Sequence, residues 1–323
     1  MSTHSMNLTA RNPEDLLAMV PVVLGFVPHD SMVMLTFGAD RPFHARVDLP
    51  DDPDDPDQVA GLVGVLLDPA RHHGVRRVVL VAYAADPGLA ETLTGALRRA
   101  FVRVGIEVLG RISADGQRWW ALPRDHPDDK GRPYDVSAHP FVAQAVLHGL
   151  VTLGSRAELT ATLDPDPVAV AEVRAALGQG DPLPHGQCVA EAAWAAALVR
   201  TCTATGSRLE AGRLARLVVG LRDLGVRDAA WLTMTRADAT AHVEFWRDVV
   251  RRTPPDLVAA PAAVLGFAAW LSGQGALAWC AVDRCREADP DYGLAGVLAE
   301  ALTSAVPPST WDTMADTGPG RPA

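Results

Sequence analysis

The sequence contains almost no lysine and carries no surplus of positive charge. Lys130 is its single lysine, and 29 lysines and arginines stand against 39 aspartates and glutamates, for a formal net charge of −10. A nucleic-acid-binding protein needs a basic surface that displaces counterions from the phosphates. We therefore expect no nucleic-acid partner. The scarcity of lysine beside abundant alanine, glycine and proline is typical of a GC-rich genome.

Long hydrophobic runs are also absent. The longest apolar stretch, residues 257–271, is interrupted by Pro261, whereas a transmembrane helix takes about 20 apolar residues. The first 16 residues contain no apolar core of the kind that a secretory signal peptide has. These features predict a cytoplasmic protein with no membrane partner.

Cysteine is rare, and the motifs of common enzymes are missing. The four cysteines, Cys188, Cys202, Cys280 and Cys285, form no Cys-x-x-Cys pair, so we interpret them as small buried side chains in a reducing compartment. The chain has no Gly-x-Ser-x-Gly, no His-Glu-x-x-His, no phosphate-binding loop and no Gly-x-Gly-x-x-Gly after a strand. We therefore predict no catalytic residue, no bound metal and no cofactor.

What the first half does contain is an alternation of helix and strand patterns. Three times, a capping side chain stands directly before a proline, as at Asn12-Pro13, which is typical of the first turn of a helix. Pro21 is expected to stop or kink the first helix. The order of the patterns predicts an α/β domain over residues 1–135, with a mixed sheet and crossover helices. The predicted helices begin at residues 13, 56 and 87, and the predicted strands are 32–37, 43–47, 77–83, 106–112 and 117–122.

Beyond that half the pattern is helical only. Residues 123–135 are polar and rich in proline and glycine, which predicts a loop. Helical patterns then follow one another, so we predict an all-helical domain over residues 136–308 and a polar, disordered tail over 309–323. Gly225 is expected to end the helix before it. Small residues in the segment 275–302 resemble the second helix of a tetratricopeptide repeat, so the domain is expected to be partly tetratricopeptide-like.

The candidate ligand site follows from topology. In open α/β sheets, ligands bind beyond the carboxyl ends of the parallel strands. That edge holds Tyr83 at a strand end and Asp86 at the start of a helix, and helix N-termini favour anions. The turn His29-Asp30-Ser31 carries the groups of nucleophilic catalysis, but adjacent residues rarely align as a triad, so turn formation and capping are the expected roles. The candidate ligand-binding residues are Arg11, Asp15, His29, Asp30, Ser31, Tyr83 and Asp86.

Three other segments have alternative interpretations. The acidic segment 48–57 could bind calcium, but its prolines favour a solvated loop. His126, Asp128 and Asp129 could bind zinc or magnesium, yet their irregular loop also favours solvation. The tryptophan pair at 119–120 alternates across a strand, so one ring faces each side of the sheet. These rings could stack on a base, but sealing the packed layers is the favoured interpretation.

Several segments together resemble one known family. They are NPEDL from Asn12, VPVVLGFVPHDSMVML from Val20, RVVLVAY from Arg77, GRISADGQRWW from Gly110, GLVTLGSRAEL from Gly149 and AWLSGQGALAWC from Ala269. The similarity covers about residues 8–308 and is to the actinobacterial family known as domain of unknown function 4192. That family has no established activity, so the resemblance implies none. Many members carry a cysteine-rich segment where this chain has ALPRDHPDDKGRPYD, which excludes metal binding through those cysteines here.

These features predict a non-enzymatic protein-interaction or regulatory module with a protein partner. The missing catalytic motifs and the repeat-like final helices motivate this prediction. The alternative is an enzyme or sensor that binds a small phosphate-bearing metabolite at the carboxyl edge of the sheet. The sequence leaves the oligomeric state open.

Overall fold

The computed structural model describes residues 9–38, 43–148, 150–177 and 188–312. Contacts divide the chain into two compact units. The sheet unit comprises Met1–Arg156 and Thr303–Pro307, and the helical unit comprises Ala157–Leu302 and Pro308–Ala323. The domain boundaries expected at residues 135 and 308 stay predictions. Of the predicted tail, residues 309–312 form a helical turn, and residues 313–323 lie outside the described residues.

The described residues of the sheet unit form a mixed sheet flanked by helices. Its strands are β1 (Ser31–Phe37), β2 (His44–Asp48), β3 (Arg77–Tyr83), β4 (Glu107–Ala114), β5 (Arg118–Ala121) and β6 (Arg132–Pro133), and its helices are α1 (Pro13–Leu24), α2 (Pro56–His72), α3 (Pro87–Arg103) and α4 (Pro140–Leu147). The strand order is β2-β1-β3-β4-β5-β6. Only β3 and β4 are parallel neighbours, and the other neighbouring pairs are antiparallel. The predicted mixed sheet with crossover helices is confirmed.

The sheet separates two hydrophobic cores, because successive side chains of a strand point to opposite faces. Met32, Met34 and Leu80 pack with α2 and α3 on one face. Val33 and Val81 pack with α1 on the other face. Each fully buried side chain of this kind contributes about 1.5–3 kcal/mol to stability. The near-continuous apolar runs of β1 and β3 are therefore those of strands that are covered on both sides.

Two local expectations about the sheet unit are wrong. Pro21 does not stop α1, since the helix continues to Leu24 and ends at Gly25, whose φ of 80° is left-handed. The segment predicted as loop over 123–135 contains β6, whose backbone pairs with β5. Strand pairing supplies partners that the local sequence does not reveal, because a two-residue strand has no periodicity to detect.

The described residues of the helical unit contain no strand. Its helices are α6 (Pro167–Leu177), α7 (Cys188–Thr205), α8 (Ala211–Gly220), α9 (Leu224–Trp231), α10 (Ala239–Arg252), α11 (Ala259–Leu271), α12 (Gly275–Ala288) and α13 (Gly293–Thr303), and α5 (Arg156–Ala161) begins at the boundary. All residues of α11 from Ala260 to Leu271 are buried. A Cβ atom on Gly266 of α11 would lie 3.3 Å from Leu298 Cδ1 and 3.5 Å from the Ala278 carbonyl oxygen. This small residue thus permits close packing with α12 and α13.

Gly225 does not end a helix, contrary to expectation. The Asp223 carboxylate accepts hydrogen bonds from the backbone N–H groups of Gly225 and Val226, at 2.9 and 3.2 Å. Asp223 therefore caps a new helix, α9, in which Gly225 is the second residue. The capping side chain decides the local structure here, and the glycine is accommodated in the first turn.

Candidate functional site

The carboxyl end of β3 presents a buried tyrosine. Tyr83 is the last residue of β3 and pairs in register with Ser31 of β1 and Ala114 of β4. Its side chain is 5 % exposed, and its hydroxyl has no hydrogen-bond partner among the described residues. Burial raises the pKa of Tyr83 well above its usual 10, and the neighbouring Tyr134 raises it further. The hydroxyl is therefore protonated at neutral pH and offers a donor that nothing in the described residues accepts.

The first residues of α1 form the second part of the site. The Asp15 carboxylate accepts from the Arg11 backbone N–H at 2.7 Å and from His139 Nε2 at 3.1 Å. Burial alone would raise the pKa of Asp15, but the hydrogen bonds that it accepts from Arg11 and His139 lower it overall. Asp15 is therefore an ionised side chain that joins the start of α1 to the start of α4.

His139 uses both of its ring nitrogens. Nδ1 accepts from the Phe141 backbone N–H at 3.2 Å and so caps α4. A nitrogen that accepts carries no proton, so this pattern assigns the proton to Nε2, which faces Asp15. Asp15 and His139 resemble the base and orienting group of a catalytic dyad, but no ring nitrogen is left to act on a substrate.

Trp119 lies against the same end of α1. Its indole Nε1 donates to Glu14 Oε1 at 3.0 Å, and the Arg132 guanidinium carbon lies 5.0 Å from the ring centroid. The residue is 2 % exposed and belongs to the core on the α1 face, whereas Trp120 belongs to the core on the α2 and α3 face. The two rings thus seal opposite faces of the sheet, and the geometry favours packing over a base-stacking platform.

The turn before β1 is held by backbone and arginine contacts. Ser31 is fully buried, and its hydroxyl donates to the His29 carbonyl oxygen. The same hydroxyl accepts from Arg46 Nε at 2.8 Å. Asp30 adopts a φ of 42°, and its carbonyl accepts from the Leu49 N–H at 2.9 Å. The serine hydroxyl bonds the histidine backbone instead of the imidazole, so these three residues form a turn and not a catalytic triad.

Asp86 occupies the N-terminus of α3. Its carboxylate accepts from the backbone N–H groups of Gly88 and Leu89 at 2.8 and 3.3 Å. These are the donors that an anion at this helix end would need. In the described part of the chain, no hydrogen bond or ion pair joins Asp86 to another candidate residue. The structure thus joins Arg11 to Asp15 and Ser31 to His29 by hydrogen bonds, and it places Ser31 beside Tyr83 in the sheet. Among the described residues, Asp86 bonds only the first turn of its own helix.

The loop between β5 and β6 is fastened to Trp120 and Arg118. Trp120 Nε1 donates to the Asp129 carbonyl at 2.8 Å, and Arg118 Nη1 donates to the carbonyls of Lys130 and Gly131 at 3.1 Å each. Beside these contacts lies a depression of about 90 Å³. Hydrogen bonds from side chains to the backbone therefore fix this loop. The depression is lined by Trp119, Trp120, Ala121, Pro123, Asp125, Asp129, Gly131 and Arg132.

Metal-binding geometry is not found in the part of the chain that the structure describes. No group of three or more histidine, cysteine, aspartate or glutamate side chains there could hold an ion. His126 Nδ1 accepts from the Asp128 backbone N–H at 3.1 Å, and Asp129 Oδ1 accepts from the Gly131 N–H at 3.0 Å. Two members of the histidine and aspartate set thus stabilise local turns.

Sequence reasoning missed His139, Glu14 and Tyr134 as members of the site. His139-Pro140 repeats the arrangement of a capping side chain before a proline, so the start of α4 was readable from the sequence. Its partnership with Asp15 joins residues 124 positions apart. No local pattern reveals such a pair, because only the finished sheet brings the two helix starts together.

Comparisons with known proteins give one family and no closer relative. No curated protein and no solved structure matches the chain.

Among the described residues, no helix is both long and apolar enough to cross a bilayer. The family model described as "Domain of unknown function (DUF4192)" matches residues 13–309. Because this match covers most of the 323 residues, the chain belongs to the DUF4192 family.

Proposed function

We propose that the protein is a non-enzymatic interaction or regulatory module of the cytoplasm, and that its helical unit binds a protein partner. The observation that carries this proposal is that the side chains of Ser31, Asp86 and His139 already bond to other groups of the fold. The Ser31 hydroxyl bonds a backbone carbonyl, Asp86 caps α3, and both ring nitrogens of His139 have partners. General acid and base catalysis needs a group directed at the substrate, and these groups are directed at the protein.

Exposed apolar side chains on the helical unit support a protein partner. Leu224 on α9 is 61 % exposed and Val297 on α13 is 64 % exposed. Covering such side chains is a usual contribution to a protein interface. Ala278, Ala281 and Cys285 of α12 are buried, which supports the tetratricopeptide-like interpretation, since small residues let repeat helices approach closely.

The test is capture of the tagged full chain from its native host, followed by mass spectrometry of the bound proteins. We expect one stoichiometric partner, which a Leu224→Glu, Val297→Glu double variant loses at least tenfold. Val65→Glu is the matched control, because Val65 is 48 % exposed but lies on α2 of the sheet unit. Absence of a stoichiometric partner under mild conditions, or equal capture by all variants, contradicts the proposal.

The cysteines support a reducing compartment. Cys202, Cys280 and Cys285 are buried, and no disulfide joins them in the described residues. Together with the single lysine of the sequence, this fits the cytoplasm of an actinobacterium with a GC-rich genome. Fractionation of the native host tests the location, and recovery in the secreted or membrane fraction contradicts it.

Tyr83 favours one alternative, a sensor or enzyme for a small phosphate-bearing metabolite at the carboxyl edge of the sheet. Its buried hydroxyl has no acceptor among the described residues, and a ligand oxygen would supply one. The carboxylate of Asp86 opposes this alternative, because it holds the N–H groups that a phosphate would use. A thermal-shift screen of phosphorylated metabolites tests it, and a hit should lose its shift in Tyr83→Phe.

A further inference from the structure

A cluster of arginines lies along α3, away from the carboxyl edge of the sheet. Arg98 and Arg99 are exposed on α3, and Arg111 is half-buried on β4. α3 packs against β4, and the charges of both Arg98 and Arg99 act on Arg111, so the three side chains lie near one another. We call Arg98, Arg99 and Arg111 the arginine cluster.

Two members of the arginine cluster converge above Gly95. The Nη1 atoms of Arg99 and Arg111 each lie 3.6 Å from the position that a Cβ atom on Gly95 would occupy. Glycine inside a helix costs about 1 kcal/mol relative to alanine. Because Gly95 has no side chain, the surface of α3 is open at this position, with exposed backbone below and the guanidinium groups of Arg99 and Arg111 beside it.

The arginine cluster has no ion-pair partner among the described residues. In the described part of the chain, none of its three guanidinium groups lies within ion-pair distance of a carboxylate. The nearby Glu91 carboxylate accepts instead from Arg124 Nε at 3.2 Å. The chain carries 39 acidic residues, so the lack of a partner is a property of this location and not of the composition.

The electrostatics of Arg111 agree with this imbalance. Burial lowers the pKa of Arg111, and the positive charges of Arg98 and Arg99 lower it further, whereas Glu91 raises it. Like charges destabilise one another when no carboxylate forms an ion pair with them. An anion between them relieves that repulsion.

We propose that the arginine cluster binds a phosphate-bearing small molecule. A planar guanidinium presents paired N–H donors that match the oxygens of a phosphate, and two such groups approach one spot here from different elements. The spot is confined to one flank of α3, which suits a compact anion with more than one charge. An extended nucleic acid would need a longer basic surface, and the net charge of −10 opposes one.

This site is independent of the proposed protein interaction and differs from the site considered at Tyr83 and Asp86. Its residues lie on the middle of α3 and on β4, whereas Asp86 lies before the first turn of α3. Binding at the arginine cluster therefore predicts no dependence on the Tyr83 hydroxyl. The variant Tyr83→Phe separates the two sites.

The test is calorimetric titration of the full chain with pyrophosphate, adenosine triphosphate and inorganic phosphate, in sodium chloride at matched ionic strength. We expect saturable binding of pyrophosphate or the nucleotide, weakened about tenfold by Arg99→Ala or Arg111→Ala. Arg71→Ala is the charge-matched control on α2 and should bind within twofold of the natural chain. Stronger binding of the nucleotide than of pyrophosphate identifies a nucleotide as the source of the phosphate.

Variants at Gly95 give a second readout that does not require the ligand. Gly95→Glu places a carboxylate between the two guanidinium groups, so it should unfold at a higher temperature than Gly95→Gln and lose pyrophosphate binding. Gly95→Ala should keep binding, because 3.6 Å is an ordinary contact distance for a Cβ atom.

Three outcomes overturn the proposal. The first is no saturable binding of any of the three phosphate compounds. The second is binding that Arg99→Ala and Arg111→Ala leave unchanged, or that Tyr83→Phe abolishes. The third is equal unfolding temperatures for Gly95→Glu and Gly95→Gln.

Discussion

The two units of this chain differ in how regularly a capping side chain begins their helices. In the sheet unit, α1, α2, α3 and α4 each start with a proline, and the residue before it accepts a backbone hydrogen bond through its side chain. In the helical unit, Asp166 and Asp223 cap α6 and α9, but α8, α10, α11 and α12 have no such side-chain bond at their starts. The first unit thus specifies its helix starts locally, whereas these helices of the second depend on packing.

Glycine substitutions should show the largest contrast between the units. A Cβ atom on Gly131 would lie 2.4 Å from Trp120 Cε2, and the φ of Gly131 is 68°. We expect Gly131→Ala to lower the free energy of unfolding by about 2–4 kcal/mol, through overlap and backbone strain.

Gly266→Ala in the helical unit is the comparison for that variant. There the nearest atom is the end of the Leu298 side chain at 3.3 Å, and alanine is the better helix former. We expect a change of less than about 1 kcal/mol. Urea unfolding followed by circular dichroism measures both, and equal losses would contradict the contrast.

Two buried tryptophans provide the next test. Trp119 Nε1 donates to Glu14 at 3.0 Å, whereas the buried Nε1 of Trp246 has no partner among the described residues. A hydrogen bond to a charged group contributes about 1.5–3 kcal/mol. Trp119→Phe should therefore destabilise the protein more than Trp246→Phe, by at least about 1 kcal/mol in the same urea measurement. A larger loss in Trp246→Phe would be inconsistent with the contacts.

Acid should weaken the sheet unit through His44 of β2. Burial lowers the pKa of His44 from 6.5 to about 4, and its Nδ1 accepts from the Thr36 N–H at 3.4 Å. The unfolded chain takes up this proton below pH 6.5 but the folded chain does not, so stability falls as the pH drops from 6.5 toward 4.

Replacing His44 isolates its part of that pH dependence. We expect His44→Gln to flatten the curve of unfolding free energy between pH 6.5 and 4, by about 1–3 kcal/mol. Burial also lowers the pKa of His242 in the helical unit, so His242→Gln is the matched comparison. An unchanged slope in His44→Gln would exclude this histidine as a source of acid sensitivity.

Helix capping should give the smallest effect. Asp86→Ala removes two hydrogen bonds at the start of α3 and should cost about 1 kcal/mol. Glu210→Ala, at the start of α8, removes a side chain that makes no cap bond and should cost less than about 0.5 kcal/mol. Thermal unfolding of the two variants checks this. Equal shifts of the unfolding temperature would mean that the cap bonds of Asp86 add nothing to stability.

Local signals at the ends of helices and strands also explain which features the sequence could predict. The strand predicted over 77–83 is β3 to the residue, because an apolar run between a glycine exit and a capping aspartate is bounded on both sides. The helix start at Pro56 was equally clear. In contrast, the expectation that Gly225 ends a helix is wrong, since it lies in the first turn of α9, and a glycine two residues after an aspartate can end one helix or begin the next.

The candidate site was predictable only in its individual residues. Tyr83 and Asp86 do lie where a strand ends and a helix starts. The role of Asp15, in contrast, depends on His139, which comes from a distant segment of the chain. Gly95 is the clearest example of what sequence analysis misses, because Arg111, which lies beside it, comes from another element of the fold.

The sheet unit is assembled from two separate stretches of chain, and this affects how the gene can be dissected. Thr303–Pro307 belongs to it, although 146 residues of the helical unit, Ala157–Leu302, come between. The Ser304 carbonyl oxygen lies 2.8 Å from Nε2 of His73, just after α2. A stop codon placed after Arg156 therefore truncates the sheet unit instead of separating the two units. Any fragment that is meant to contain the complete sheet unit must include residues 303–307.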